Sequence, residues 1–203
     1  MAEWQRITAN GDDFELKVLP VGTFENVVYV VRDPTTREGY IIDAGWEPDT
    51  IAAEVKGTAV KGIIITHGHN DHHDRLDDLK RLVGAPAGIG TGDGGMLKSR
   101  PDFTIEHGQV LSFGSGSLKA HHTPGHTPGS TCFTIGNLVF TGDTLFPGGP
   151  GKSTSATFPT IIESLRSRLF TLADETTVYP GHGKSTTIGN EKPHLQEWIT
   201  RGW

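Results

Sequence analysis

The chain has 203 residues, of which 34% are hydrophobic and 21% are charged. A chain of this length can bury a core without disulfide cross-links, and its single cysteine excludes an internal disulfide. The formal net charge of −6 lacks the basic character typical of nucleic-acid-binding proteins. No apolar stretch resembles a secretory signal or a membrane span. We therefore predict one cytoplasmic domain over residues 1–203, with no nucleic-acid or membrane partner.

Short apolar runs alternate with turn residues along most of the chain. In chain order they predict strands at 14–19, 26–31 and 40–43, a helix at 49–56, a strand at 62–66, a helix at 71–83, strands at 87–89, 110–113, 118–122, 131–135 and 138–140, a helix at 160–172, a strand at 176–179 and a helix at 191–200. Ile63, Ile64 and Ile65 do not alternate with polar residues, so their strand should be buried on both faces. This mixture predicts an α+β fold with two sheets and helices outside them.

Histidine and aspartate residues recur where predicted strands end. His67 and His69 lie two apart on extended backbone, so their rings can point to one side, and Asp71 begins the next helix. Three further segments run from a strand into a glycine-containing turn that carries a histidine or aspartate. The full set consists of His67, His69, Asp71, His72, His126, Asp143 and His182. Loops that meet at one rim of a sandwich could bring these residues together as a metal site.

Several of these segments resemble a known family. The motifs TPGHTPGS at 123–130, TGDTLF at 141–146 and YPGHG at 179–183 are similar to those of metallo-β-lactamase-fold hydrolases, and most of all to the glyoxalase II branch. The resemblance implies a four-layer αβ/βα sandwich with a binuclear metal site at one edge. It assigns His67, His69 and His126 to the first metal and Asp71, His72 and His182 to the second. Asp143 would bridge the two metals.

The predicted ligand set favours hydrolysis. Imidazole and carboxylate ligands without a thiolate suit two divalent ions, with zinc expected and iron or manganese as alternatives. A metal-bridging hydroxide, which such ions can supply near neutral pH, would attack a carbonyl carbon, and Asp71 and Asp143 are the predicted catalytic carboxylates. Because a thiol leaving group has a pKa near ~8.5, it departs without a strong acid. We therefore predict a small anionic thioester as substrate.

Two further residues match functional positions of the family. Asp43, at the end of a predicted strand, corresponds to a residue that orients a metal ligand through a hydrogen bond. Lys152 resembles the lysine with which glyoxalase II holds a substrate carboxylate. True β-lactamases of this fold have cysteine or serine where Asp143 stands, which argues against antibiotic hydrolysis. Because few residues follow His182, we expect the helical region with which glyoxalase II binds glutathione to be missing or minimal.

The ligand set leaves alternatives open. A mononuclear iron persulfide dioxygenase has many of the same motifs and would use His67 or His69 together with His126 and Asp143. Ester or lactone hydrolysis by the same fold is a further alternative, and the oligomeric state is undetermined. The GTGDGG segment at 90–95 formally matches a dinucleotide-binding pattern, but no long βαβ unit surrounds it. We therefore assign no function to this segment, and we predict a structural role for the surplus histidine His73.

Overall fold

Two β-sheets form the centre of the computed structural model, which describes residues 2–9 and 12–202. The first sheet consists of β1 (Gln5–Ala9), β2 (Asp12–Val21), β3 (Asn26–Arg32), β4 (Glu38–Ile42), β5 (Ala59–Ile65), β6 (Ala87–Gly90) and β7 (Phe103–Ile105), in that spatial order. Its strands pair antiparallel from β1 to β4 and parallel from β4 to β7. The parallel half therefore presents the carboxyl ends of several strands at one edge.

The second sheet is built from the following half of the chain. It contains β8 (Val110–Phe113), β9 (Gly116–His122), β10 (Thr131–Ile135), β11 (Leu138–Gly142), β14 (Thr177–Pro180) and β15 (Thr186–Thr187). Its spatial order is β15-β14-β11-β10-β9-β8, and the parallel pair is β11 with β14. The strands β12 (Leu145–Phe146) and β13 (Gly149–Pro150) form a separate small hairpin in the loop after β11.

Helices cover the outer face of each sheet. The α-helices are α1 (Pro48–Glu54), α2 (Asn70–His73), α3 (Leu76–Val83), α4 (Phe158–Ser164), α5 (Ile188–Glu191) and α6 (Leu195–Arg201). A π-helical segment, Leu165–Leu169, continues α4, and 3₁₀ turns span Thr91–Met96 and Lys192–His194. Among the described residues, no helix has the length and apolar character needed to cross a bilayer.

Three apolar clusters show how the layers pack. Alternation along β3 sends Val27 and Tyr29 into the core between the two sheets, while Val28 and Val30 face the helices α1 and α3. A third cluster joins the outer face of the second sheet to α4 and α6, with Trp198 buried at its centre. The order helix, sheet, sheet, helix confirms the predicted αβ/βα sandwich. Ile64 faces the inner core and Ile63 the helices, which confirms the strand predicted to be buried on both faces.

The predicted helix at 71–83 is interrupted. The backbone N–H of Ala44 donates to the His72 carbonyl at 2.8 Å, and the Arg75 N–H donates to the Ala44 carbonyl at 3.2 Å. These bonds to the loop after β4 replace helical bonds, so α2 and α3 are separate helices. The helix predicted at 191–200 is also divided, because Pro193 lies in a 3₁₀ turn between α5 and α6. The short strands β1, β7, β12, β13 and β15 were not predicted.

Candidate metal centre

The seven predicted metal ligands meet at one edge of the sandwich. Four of them follow β5 in the first sheet, and the other three follow β9, β11 and β14 in the second sheet. Three groups have candidate ligand atoms within 4.8 Å of one another: His67, His69 and His126; His67, His72 and Asp143; and Asp71, His72 and His182. Both sheets therefore contribute to one continuous site.

The first cluster consists of His67, His69 and His126. The Nε2 atom of His67 lies 3.2 Å from Nδ1 of His69. The ring of His126 has its centroid 4.6 Å from that of His69 and 4.8 Å from that of His67. The three rings therefore surround one small volume from three directions, as the ligands of a tetrahedral ion do.

The second cluster consists of Asp71, His72 and His182. The two Nε2 atoms of His72 and His182 are 3.1 Å apart, and Oδ2 of Asp71 lies 3.2 Å from Nε2 of His182. The short helix α2 supplies Asp71 and His72, whereas His182 comes from the loop after β14. The cluster therefore joins the two sheets.

Asp143 lies between the two clusters. Its Oδ2 atom is 3.5 Å from Nε2 of His126 and 3.6 Å from Nε2 of His182, and its Oδ1 atom is 3.4 Å from Nε2 of His72. Oδ1 of Asp143 and Nε2 of His126 are buried without a hydrogen-bond partner among the described residues. Buried polar atoms are normally satisfied, and unsatisfied acceptors that converge in this way fit a bound cation.

Hydrogen bonds on the far side of the rings determine which nitrogen faces the site. His126 Nδ1 lies 2.7 Å from the carbonyl oxygen of Lys152, and His182 Nδ1 lies 2.8 Å from that of Phe24. A carbonyl oxygen only accepts, so both Nδ1 atoms carry the proton and donate it. The lone pair of each Nε2 is then directed into the cluster, as metal binding requires.

Asp43, predicted to orient a metal ligand, forms a hydrogen bond with the His72 ring. Its Oδ2 atom accepts from His72 Nδ1 at 2.8 Å, while Oδ1 accepts from the backbone N–H of Thr66 at 2.8 Å. Burial would lower the pKa of His72, but Asp43 and then Asp143 outweigh it and raise the pKa to about 10. The two carboxylates therefore stabilise positive charge on the His72 ring, and the same negative charges would favour a cation bound beside it.

Two buried groups of the site, His67 and Asp143, have the protonation states that bind a metal ion. Burial lowers the pKa of His67 well below its ordinary value, and the neighbouring imidazoles lower it further, so the ring stays neutral. Burial would raise the pKa of the Asp143 carboxyl, but His72 and the other histidines hold it below its usual range. Neutral imidazole and ionised carboxylate are the forms that bind metal ions.

Sequence reasoning missed Asn26, the first residue of β3. Its side-chain amide donates to Asp71 twice, to the backbone carbonyl at 3.2 Å and to Oδ2 at 3.1 Å. Asn26 also forms an isolated antiparallel bridge with His182. It thereby holds two members of the second cluster at once. No motif surrounds Asn26, and its position at the start of a strand is the one signal that the sequence offers.

Two cavities adjoin the centre. One, of about 340 Å³, is lined by His69, His126, Lys152, Ser153, Thr154 and Thr157. The other, of about 450 Å³, is lined by Phe24, Trp46, Asn70, Asp71 and Asp74. The structure therefore places the exposed Lys152 beside the first cluster, and exposed aromatic surface from Phe24 beside the second.

The sandwich and the two His/Asp clusters at its edge define a metal-dependent enzyme of the metallo-hydrolase class. The model of the metallo-beta-lactamase superfamily matches residues 21–182, and the chain belongs to that superfamily.

Similarities to individual proteins indicate a branch within the superfamily. The chain is 29% identical to hydroxyacylglutathione hydrolase GloC of Haemophilus influenzae, over 87% of this chain and 94% of the relative. It is 28% identical to the probable polyketide biosynthesis zinc-dependent hydrolase PksB of Bacillus subtilis, over 89% of this chain and 85% of the relative. The crystal structure of ETHE1 from Myxococcus xanthus superposes with a TM-score of 0.77 at 26% identity, covering 98% of this chain and 89% of that one. These similarities are consistent with the glyoxalase II-like branch, which confirms the predicted family.

Proposed function

We propose that the chain is a two-metal hydrolase that cleaves small anionic thioesters. The observation that carries this proposal is the position of the Asp143 carboxylate, which lies within 3.6 Å of imidazole nitrogens in both clusters. A carboxylate placed in this way can bridge two ions, whereas a single-ion site needs no second set of three ligands. His67, His69 and His126 would hold one ion, and Asp71, His72 and His182 the other.

Two divalent ions would supply a hydroxide nucleophile near neutral pH and would polarise the carbonyl under attack. We propose zinc, with iron or manganese as alternatives, because the ligands are nitrogen and oxygen atoms only. The similarity to PksB, a probable zinc-dependent hydrolase, supports this choice. Asp71 and Asp143 would hold the ions in place, and their two negative charges would only partly neutralise the four positive charges of the ions, so the site would stay electrophilic. An intracellular, reducing location would suit the single buried cysteine, Cys132.

The cavity beside the first cluster supports an anionic thioester as substrate. Its lining offers the Lys152 ammonium for a substrate carboxylate. The lining contains no carboxylic acid that could protonate a poor leaving group, and a thiolate leaves without one. The similarity to GloC, whose name is hydroxyacylglutathione hydrolase, points to the same bond type.

Metal analysis and two activity assays test the proposal on one preparation. We expect two equivalents of divalent metal per chain and release of free thiol from carboxylate-bearing acyl-thiol substrates. Thioesters of a neutral short thiol are the matched control substrates, and their KM should be higher than that of the carboxylate-bearing substrates. Failure to release thiol from any thioester by protein loaded with zinc, iron or manganese would refute the hydrolase proposal.

An iron-dependent persulfide dioxygenase is the second candidate, and the structural similarity to ETHE1 fits it. Such an enzyme would need one iron held by two histidines and a carboxylate, for which His67 or His69, His126 and Asp143 are available. Oxygen consumption with a glutathione persulfide, together with one iron per chain and no thiol release from thioesters, would favour this reaction over hydrolysis.

A further inference from the structure

A buried carboxylate outside the ligand set connects two of the ligand loops. Asp93 lies in the 3₁₀ turn Thr91–Met96 and is fully buried. Its Oδ2 atom accepts from the backbone N–H of Gly68 at 2.8 Å and from the Thr127 hydroxyl at 2.5 Å. Its Oδ1 atom accepts from the backbone N–H of Gly129 at 2.7 Å. Three donors compensate for the burial of this charge, which would otherwise be costly.

The three donors all belong to loops of the first cluster. Gly68 lies between His67 and His69, while Thr127 directly follows His126. The carbonyl of Gly68 accepts in turn from Nε2 of the buried His73 at 3.1 Å. Both peptide groups that flank Gly68 are therefore held, the one after His67 by Asp93 and the one before His69 by His73.

The glycines around Asp93 permit this arrangement. A Cβ atom on Gly90 would lie 2.1 Å from the carbonyl oxygen of Gly129, and one on Gly92 would lie 2.8 Å from the carbonyl carbon of Pro128. Side chains at these positions would force the two loops apart. Gly90 and Gly92 of the GTGDGG segment thus allow close packing against the His126 loop.

We propose that Asp93 is the positioning residue of the first cluster: it fixes the loop of His67 and His69 relative to the loop of His126. This inference rests on the proposed binding of one ion by these three histidines. Asp93 makes no hydrogen bond to the second cluster among the described residues. There, Asp43 contacts His72 and Asn26 contacts Asp71. Loss of the Asp93 charge should therefore weaken one metal site and spare the other.

Metal titration of Asp93→Asn tests the inference. The amide cannot accept from all three donors, since its NH₂ group faces at least one of them. We expect one ion to bind 10–100-fold more weakly, the range found for residues that orient metal ligands, and the other ion to bind as in the wild type. In the Co²⁺-loaded protein, the absorption spectrum should approach that of His69→Ala, which lacks a ligand of the same cluster.

Asp33→Asn is the matched control, because Asp33 is also a buried carboxylate that accepts several hydrogen bonds, but at a turn outside the ligand clusters. It should lower stability and leave both metal affinities unchanged. Thr127→Val, which removes one donor to Asp93, should give a smaller loss at the same site. Equal weakening of both sites in Asp93→Asn, or wild-type affinity at both, overturns the inference. The two-metal proposal fails separately, on the metal content of the wild-type protein.

Discussion

Replacement of Asp43 by asparagine gives a direct test of how the second cluster is held. Asp43 has a positive φ of 68°, a conformation that asparagine tolerates better than alanine does. The substitution therefore removes the charge without adding backbone strain. The matched control is Asp49→Asn, which changes an exposed aspartate on α1.

The size of the effect follows from the hydrogen bonds of Asp43. An asparagine whose oxygen accepts from the Thr66 N–H must turn its NH₂ group toward His72 Nδ1, where aspartate accepts at 2.8 Å. Two donors then face each other, and His72 relieves this by moving its proton to Nε2. That nitrogen is directed at the cluster, 3.1 Å from Nε2 of His182, and its lone pair is lost to the metal. We expect metal affinity to fall 10–100-fold, or ~1.4–2.7 kcal/mol.

Competition with a chromophoric chelator measures this loss directly. The wild type and Asp49→Asn should show the same two affinities, and Asp43→Asn should show one of them reduced. Circular dichroism under the same conditions confirms that the variant is folded. A folded Asp43→Asn protein with both wild-type affinities would refute the orienting role of the carboxylate.

Three other substitutions test the bridging role of Asp143, substrate binding by Lys152 and the contribution of Asp33 to stability. Asp143→Ala should abolish metal binding and thiol release, and retention of both ions would refute a bridging role. Lys152→Met should raise KM about tenfold, or ~1.4 kcal/mol, for carboxylate-bearing thioesters only; an equal rise for neutral ones would contradict this role. Burial would raise the pKa of Asp33, but hydrogen bonds from Thr36 and Ser115 outweigh it and lower the pKa well below its ordinary value. The ionised Asp33 carboxylate contributes fully to the free energy of unfolding above its pKa in the unfolded chain, about 3.9. This contribution disappears as pH falls through its pKa in the folded protein. Asp33→Asn should therefore cost about 1–3 kcal/mol at pH 7 and progressively less below pH ~4 in urea unfolding; a constant difference would contradict the linkage.

The convergence of the seven candidate ligands could be predicted because each lies in a short local pattern, a strand followed by a turn with histidine or aspartate. The orientation of their rings could not be predicted. His126 and His182 are oriented by the backbone carbonyls of Lys152 and Phe24. Every residue has such a carbonyl, so the sequence does not show which one accepts the hydrogen bond. Asn26 and Asp93 were missed for a related reason, since their donors and acceptors lie far away along the chain.

In the fold, too, features that depend on neighbouring residues were predicted, and features that depend on residues distant in the chain were missed. The apolar runs located β3, which is buried on both faces, and the part of β5 at residues 63–65, which is buried in the same way. The gap between α2 and α3 depends on hydrogen bonds to Ala44 in a distant loop, and helical periodicity contains no information about such a partner. β1 was missed because an edge strand with the sequence QRITA lacks an apolar run.

The contribution of both sheets to one ligand set has a consequence for biosynthesis. The ribosome translates all of the first sheet, with its four potential ligands, before it reaches the residues around His182. Full coordination of the proposed ions would therefore have to wait until the later half of the chain has docked, and the bound ions would then link the two halves. Because binding to the native form alone adds to its stability, metal supply during translation should influence how much of this protein survives proteolysis as it matures.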